Sequence, residues 1–164
     1  MKSVLISIQP KWCELIASGK KTVEVRKTRP KLETPFKCYI YETQGRTETP
    51  FVDEEGHHIF KGRGQVIGEF VCDRIVRFEN KIYDLAFDET VDRACIEPYE
   101  LAKYCLPQCY AYGWHISDLV IYDKPRELSE FYIKRYSYGS FDKIPTPLYR
   151  PPQSWYYIES EVAK

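Results

Sequence analysis

The stretch that most restricts the fold is residues 2–27, KSVLISIQPKWCELIASGKKTVEVRK. Val4, Leu5, Ile6 and Ile8 are apolar and partly β-branched, which favours a buried strand. Pro10 ends that strand, because its fixed φ and missing N–H suit the first position of a helix. Trp12, Leu15 and Ile16 then fall at i, i+3 and i+4, one helical face. Ser18-Gly19 stops the helix, with Gly19 able to take a left-handed C-cap. From Thr22 the period becomes two. Thr22, Glu24 and Arg26 point one way, and Val23 and Val25 the other. The valines fit a core. The opposite face, a carboxylate among Lys21, Arg26 and Lys27, fits either a solvated strand surface or a site.

A chain of 164 residues with 43% hydrophobic content is long enough to bury one core, so 1–164 reads as a single domain. Fourteen tyrosines suit a β-rich fold or a surface that stacks on flat ligands. Equal numbers of basic and acidic residues, 24 each, mean that bulk charge does not announce a nucleic-acid binder. The distribution is less even. Residues 19–37 carry seven Lys/Arg against two Glu, residues 79–100 carry two against seven acids, and residues 124–150 carry six against three. Such segments form a basic face with an acidic back, or neutralise one another. The apolar run after Lys2 is too short for a signal peptide, and no run approaches a membrane span. The six cysteines, several inside helix or strand patterns, then read as free thiols of a reducing, cytoplasmic protein.

Along the rest of the chain, residues 36–42, 65–78, 109–122 and 153–159 read as strands. Gly68 marks a bulge or a close backbone approach, and Gly113 lies near the middle of its strand. Pro98 opens a short helix, PYELAKYC, and RELSEF after Pro125 gives one or two helical turns. Residues 43–64 read as a flexible polar loop and 134–147 as a Tyr-, Gly- and Pro-containing loop; 82–95 carry no clear pattern. About six strands with two or three short helices, and no strand–helix regularity, predict an α+β fold: a small, mostly antiparallel barrel with peripheral helices.

The phosphate-binding loop, dinucleotide fingerprint, nucleophile elbow and zincin motifs are all absent. Cys105-x3-Cys109 has the wrong spacing for a zinc knuckle and no matching second half, and His57-His58 falls in a flexible acidic loop, so no metal and no cofactor are expected. His115 and Ser117 share a strand face. His115 there is a base-binding or proton-shuttling group, or a satisfied structural residue. The Tyr/Lys/Arg interleaving of 131–150 fits a stacking-plus-phosphate surface or a loop held by its aromatics.

Residues 6–27, ISIQPKWCELIASGKKTVEVRK, resemble the opening of ASCH-domain proteins, relatives of the PUA domain. There a strand with SI-x-P precedes a helix, and a GxK(T)xExRK segment begins the next strand. VIGEF (66–70) resembles a further core strand, and residues 112–119 with PPQSW (151–155) resemble a phage-associated branch. The resemblance implies a PUA-like barrel with a cleft beside the first helix that takes RNA or a modified nucleoside. With such a cleft, the candidate ligand-binding residues of this chain are Lys11, Lys20, Lys21, Glu24, Arg26, Lys27, His115, Ser154 and Trp155. Lysines and Arg26 would meet phosphates, Glu24 a donor on a base edge, and Trp12 or Trp155 a stacked ring. Some small members are amidohydrolases acting on N4-acetylcytidine, and Lys21 matches their catalytic Lys. Their Thr position is Glu24 here, and none of Glu89, Glu97 or Glu100 aligns with their later Glu. A hydrolase acting on such an amide, or on a phosphodiester as a ribonuclease, would use Lys21 and Glu24 as its catalytic pair. The adjacent carboxylate is expected to raise the Lys21 pKa and favour electrostatic stabilisation over attack. A third reading is a non-catalytic protein-interaction module. The oligomeric state is not legible, and no membrane partner is expected.

Overall fold

The computed structural model describes residues 2–45, 62–81, 84–136 and 142–159. Among the described residues, ten strands, three α-helices and one 3-10 turn follow one another. β1 (Lys2–Ile8), α1 (Pro10–Ala17) and β2 (Val23–Arg26) form the opening. β3 (Phe36–Glu42), β4 (Gln65–Cys72) and β5 (Ile75–Glu79) precede α2 (Leu85–Ala94) and α3 (Pro98–Cys105). β6 (Tyr110–His115), β7 (Ser117–Arg126), the 3-10 turn (Leu128–Glu130), β8 (Tyr132–Tyr136), β9 (Lys143–Pro147) and β10 (Trp155–Glu159) complete the chain.

The strands make two sheets, in the orders β7-β4-β3-β1-β10-β8-β9 and β2-β6-β5. β1 runs parallel to β3 and antiparallel to β10, with Val4 opposite Cys38 on one side and Tyr157 on the other. The α+β class stands, but the expected single barrel of about six strands is overturned, because neither sheet closes. Two apolar runs that read as single strands are each divided. The run 65–78 breaks at Asp73–Arg74 into β4 and β5, and the run 109–122 breaks at Ile116 into β6 and β7. Asp118 just beyond takes a φ of 45°, an uncommon conformation for a residue with a side chain. Both breaks hand the chain from one sheet to the other. The stretch 134–147, expected as loop, contributes to a strand pair: residues 132–136 pair with 143–147, Tyr132 opposite Pro147 through to Tyr136 opposite Lys143.

The chain divides into two compact units: Met1–Cys13, Cys38–Glu69 and Val120–Lys164, and Glu14–Lys37 with Phe70–Leu119. In the first, Leu5, Tyr41, Val66, Leu128, Leu148 and Ile158 close the core, and Tyr39 meets Phe131 edge-on at 5.0 Å. In the second, Val23, Val25, Phe78, Phe87, Leu101 and Ala111 pack together, so the two valines point inward as their period predicts. α2 lies in the stretch that showed no pattern. Asp84 caps it, accepting from the amides of Ala86 and Phe87, and Cys95 ends it with a left-handed φ of 54°. The buried face of α1 centres on Cys13 and Ile16, with Trp12 and Leu15 half-buried beside it, a small rotation from the expected phase. Among the described residues no helix is long and apolar enough to cross a membrane. His57, His58 and most of the expected loop 43–64 lie outside the described residues, as do Tyr138 and Phe141.

Candidate functional site

In the second unit the turn after α1 and the start of β2 bring three of the expected residues together. Gly19 takes a φ of 75°, which lets the chain reverse so that the Lys21 amide donates to the Leu15 carbonyl at 2.9 Å. The Lys21 side chain turns inward and is 2% exposed. Its Nζ donates to the Ala94 carbonyl at 2.8 Å, at the negative end of α2. The ammonium thus caps α2, not the C-terminus of α1. Nζ also lies 3.4 Å from Glu24 Oε2. Glu24 is itself buried, so its strand face is not a solvated one. Its Oε1 pairs with Arg26 Nη1, and the same nitrogen donates to the Val25 carbonyl at 2.8 Å. Among the described residues Glu24 Oε2 accepts no hydrogen bond.

Burial pushes the Lys21 amine below its ordinary value; Glu24 opposes this and Arg26 adds to it. Glu24 does raise the Lys21 pKa, as expected, but desolvation outweighs one carboxylate at this distance and the net shift is downward. Tyr104 on α3 stands near the cluster and has no signal in the sequence. Burial raises its phenol while Arg26 lowers it, and its oxygen accepts from the Lys27 backbone amide. The Lys27 ammonium lies 5.3 Å from the Tyr104 ring centroid and donates to the Leu106 carbonyl at 2.8 Å.

The other expected residues fall elsewhere. Lys20 is exposed. His115 belongs to the second unit but not to the cluster. Register pairs Val23 with His115 and Glu24 with Trp114, so the pleat puts His115 and Glu24 on opposite faces of the β2-β6-β5 sheet. Its Nδ1 donates to Asp73 Oδ1 at 2.6 Å. Lys11, Ser154 and Trp155 belong to the first unit. Lys11 is exposed, with Nζ 4.2 Å from the Trp12 ring centroid. The PPQSW segment ties the chain to β1: Ser7 donates its hydroxyl to the Pro152 carbonyl at 2.7 Å and its amide to the Ser154 carbonyl at 2.9 Å. Trp155 is half-buried and meets Tyr157 edge-on at 5.2 Å. No group of three or more potential metal ligands occurs among the described residues.

The strand–helix–strand opening, the two open sheets and the buried Lys–Glu–Arg cluster define a small α+β domain built on a GKKTVEVRK segment. Residues 6–106 match the ASCH domain, and the chain belongs to the ASCH-domain family. It is similar in fold to three crystal structures of ASCH from Zymomonas mobilis, each 20% identical. A tyrosine-to-phenylalanine mutant covers 97% of this chain and 91% of its own, with a TM-score of 0.65. A serine-to-alanine mutant covers 96% and 88%, with a TM-score of 0.65. The third structure covers 96% and 87%, with a TM-score of 0.59. No curated protein matches the chain significantly. At the level of the family, an ASCH domain points to PUA-like RNA binding in general.

Proposed function

We propose that this chain is a cytoplasmic RNA- or modified-nucleoside-binding domain whose recognition residue is Glu24. Lys20, Arg26 and Lys27 position phosphates around it, and Lys21 holds it in place from behind. The observation that carries the reading is the buried Glu24 carboxylate, with one oxygen fixed by Arg26 and the other met, among the described residues, only by the Lys21 ammonium at 3.4 Å and by no well-formed hydrogen bond. Buried acceptors are rarely left that way, and an exocyclic amine of a base is a fitting donor. Tyr104, near Glu24 and Arg26, offers a stacking ring. Lys11, His115, Ser154 and Trp155 are secondary contacts in this reading. The ASCH match runs through parts of both compact units, which supports treating 1–164 as one domain. Residues 112–119 and 151–155 are the grounds for a phage-associated branch.

The test is a panel of nucleosides and short oligonucleotides titrated at several salt concentrations. Lys20→Ala and Lys27→Ala are expected to weaken binding to every sequence and to lower the salt slope by about one each. Glu24→Gln is expected to change which base is preferred by about 1–3 kcal/mol with little change in slope. If the parent binds nothing at low salt, the protein-interaction reading replaces this one.

One observation favours a hydrolase as the second reading. Burial lowers the Lys21 pKa, which increases the neutral amine available as base or nucleophile, with Glu24 as partner. Acetate release from N4-acetylcytidine, or cleavage of an RNA, would then rise with pH as Lys21 titrates below 10.5 and vanish in Lys21→Arg.

A further inference from the structure

A cleft lies in the second unit, over the β2-β6-β5 sheet beside α2, on the face turned away from Glu24. Its floor is apolar, made by Val23, Val76 and Ala86 around Gly113. A Cβ at Gly113 would stand 3.0 Å from Val23 Cγ1 and 3.5 Å from Thr90 Oγ1, so glycine there keeps the floor low. Arg74, Arg93, Glu89 and His115 line it from the break after β4, from α2 and from β6.

The chemistry of this lining is ordered. Asp73 engages His115 Nδ1 and so sets the ring's tautomer and orientation. Nε2 is the ring nitrogen left to meet a ligand. Glu89 engages Arg93 through Nε at 3.1 Å, which leaves the rest of a guanidinium whose side chain is 41% exposed. No side-chain partner of Arg74 is recorded among the described residues, and its backbone carbonyl accepts from the His115 amide at 2.9 Å. Two guanidiniums above an apolar floor form a donor set for a compact dianion carrying a carbon body, and His115 Nε2 adds a third donor when the ring carries a proton on both nitrogens. We propose that this cleft is a second ligand site, taking a phosphate monoester with Arg74, Arg93 and His115 as its donors. A diester offers fewer free oxygens and half the charge, so it fits the three donors poorly. Glu89 opposes the anion, but it is exposed and its pair with Arg93 is weak.

Inorganic phosphate, adenosine 5′-monophosphate and dimethyl phosphate are titrated into the full chain at pH 7, read by the His115 ring signals in NMR and by calorimetry. The two monoanion-to-dianion ligands are expected to shift the ring signals and saturate below about 10 mM, with the diester at least about tenfold weaker. A tighter nucleotide assigns the site to a phosphorylated organic ligand, and equal affinities assign it to free phosphate. Arg74→Gln, at an exposed position, and Arg93→Gln, at a half-buried one, should each weaken phosphate by about tenfold. Glu89→Gln should tighten it, a sign that a purely structural ion pair would not produce. Unmoved ring signals, a diester as tight as phosphate, or arginine variants binding like the parent would each overturn the proposal.

Discussion

Lys21 shows how far a residue's role departs from its place in a basic run. By count it is one of seven cations in residues 19–37, yet it is buried on the carbonyl of Ala94 beside Glu24. Its amine titrates lower in the folded protein than in the unfolded chain. Between those two values the unfolded state binds more protons, so this group's contribution makes stability rise with pH. Below both values its charged burial is a constant cost. Urea unfolding of the parent and of Lys21→Met between pH 8 and 10.5 should therefore show a more positive slope with pH for the parent; parallel slopes would mean that Lys21 is not desolvated. The thiols make a second residue-scale prediction. Cys13, Cys38, Cys72 and Cys105 are buried, and burial pushes the Cys72 thiol up to about 12. At pH 8 a thiol reagent should modify Cys109 and Cys95 first in the native protein and reach all six cysteines after denaturation.

At the scale of elements, periodicity names an element well and locates its ends poorly. α3 begins at Pro98 and β3 covers 36–42, as their patterns predict. α1 keeps its span but turns its face, so Ile16 and not Leu15 is fully buried. Ile16→Ala is expected to cost about 2–5 kcal/mol and Leu15→Ala less, as measured by urea unfolding. Gly68 marks a close backbone approach. A Cβ there would lie 2.4 Å from the Val120 carbonyl oxygen of β7, and a backbone atom cannot move aside cheaply. Gly68→Ala should lower stability by about 1–3 kcal/mol, and faster amide exchange along β4 and β7 would localise the effect. A variant as stable as the parent would show that the strand shifts freely.

Over the whole molecule, many of the charges in these segments are used in local pairs. Much of the acidic stretch is spent on local partners: Glu79 pairs with Arg77 and Lys81, Glu89 with Arg93, and Asp84 caps α2. The basic opening is likewise divided between a buried ammonium at Lys21 and an exposed one at Lys20. Long-range attraction of a polyanion would then depend on a few exposed cations and not on net charge, so RNA association should be weak at physiological salt and steep in its salt dependence at low salt.

The strand–helix–strand opening, the inward valines and the membership of 6–106 in the ASCH family could all be read from residue order, because they rest on local periodicity and a contiguous motif. The same reading placed Glu24 and Arg26 on one strand face and His115 on another strand. It did not separate them, because which face of β6 meets which face of β2 depends on a register that pairs residues about ninety positions apart. The break at 73–74, the break at 116, the lining of the cleft beside α2 and the burial of Lys21 were likewise settled by tertiary contact. Each depends on a distant carbonyl, carboxylate or sheet that local propensity does not encode. The sign of the Lys21 shift belongs with them, since desolvation is a property of the surroundings and not of the residue.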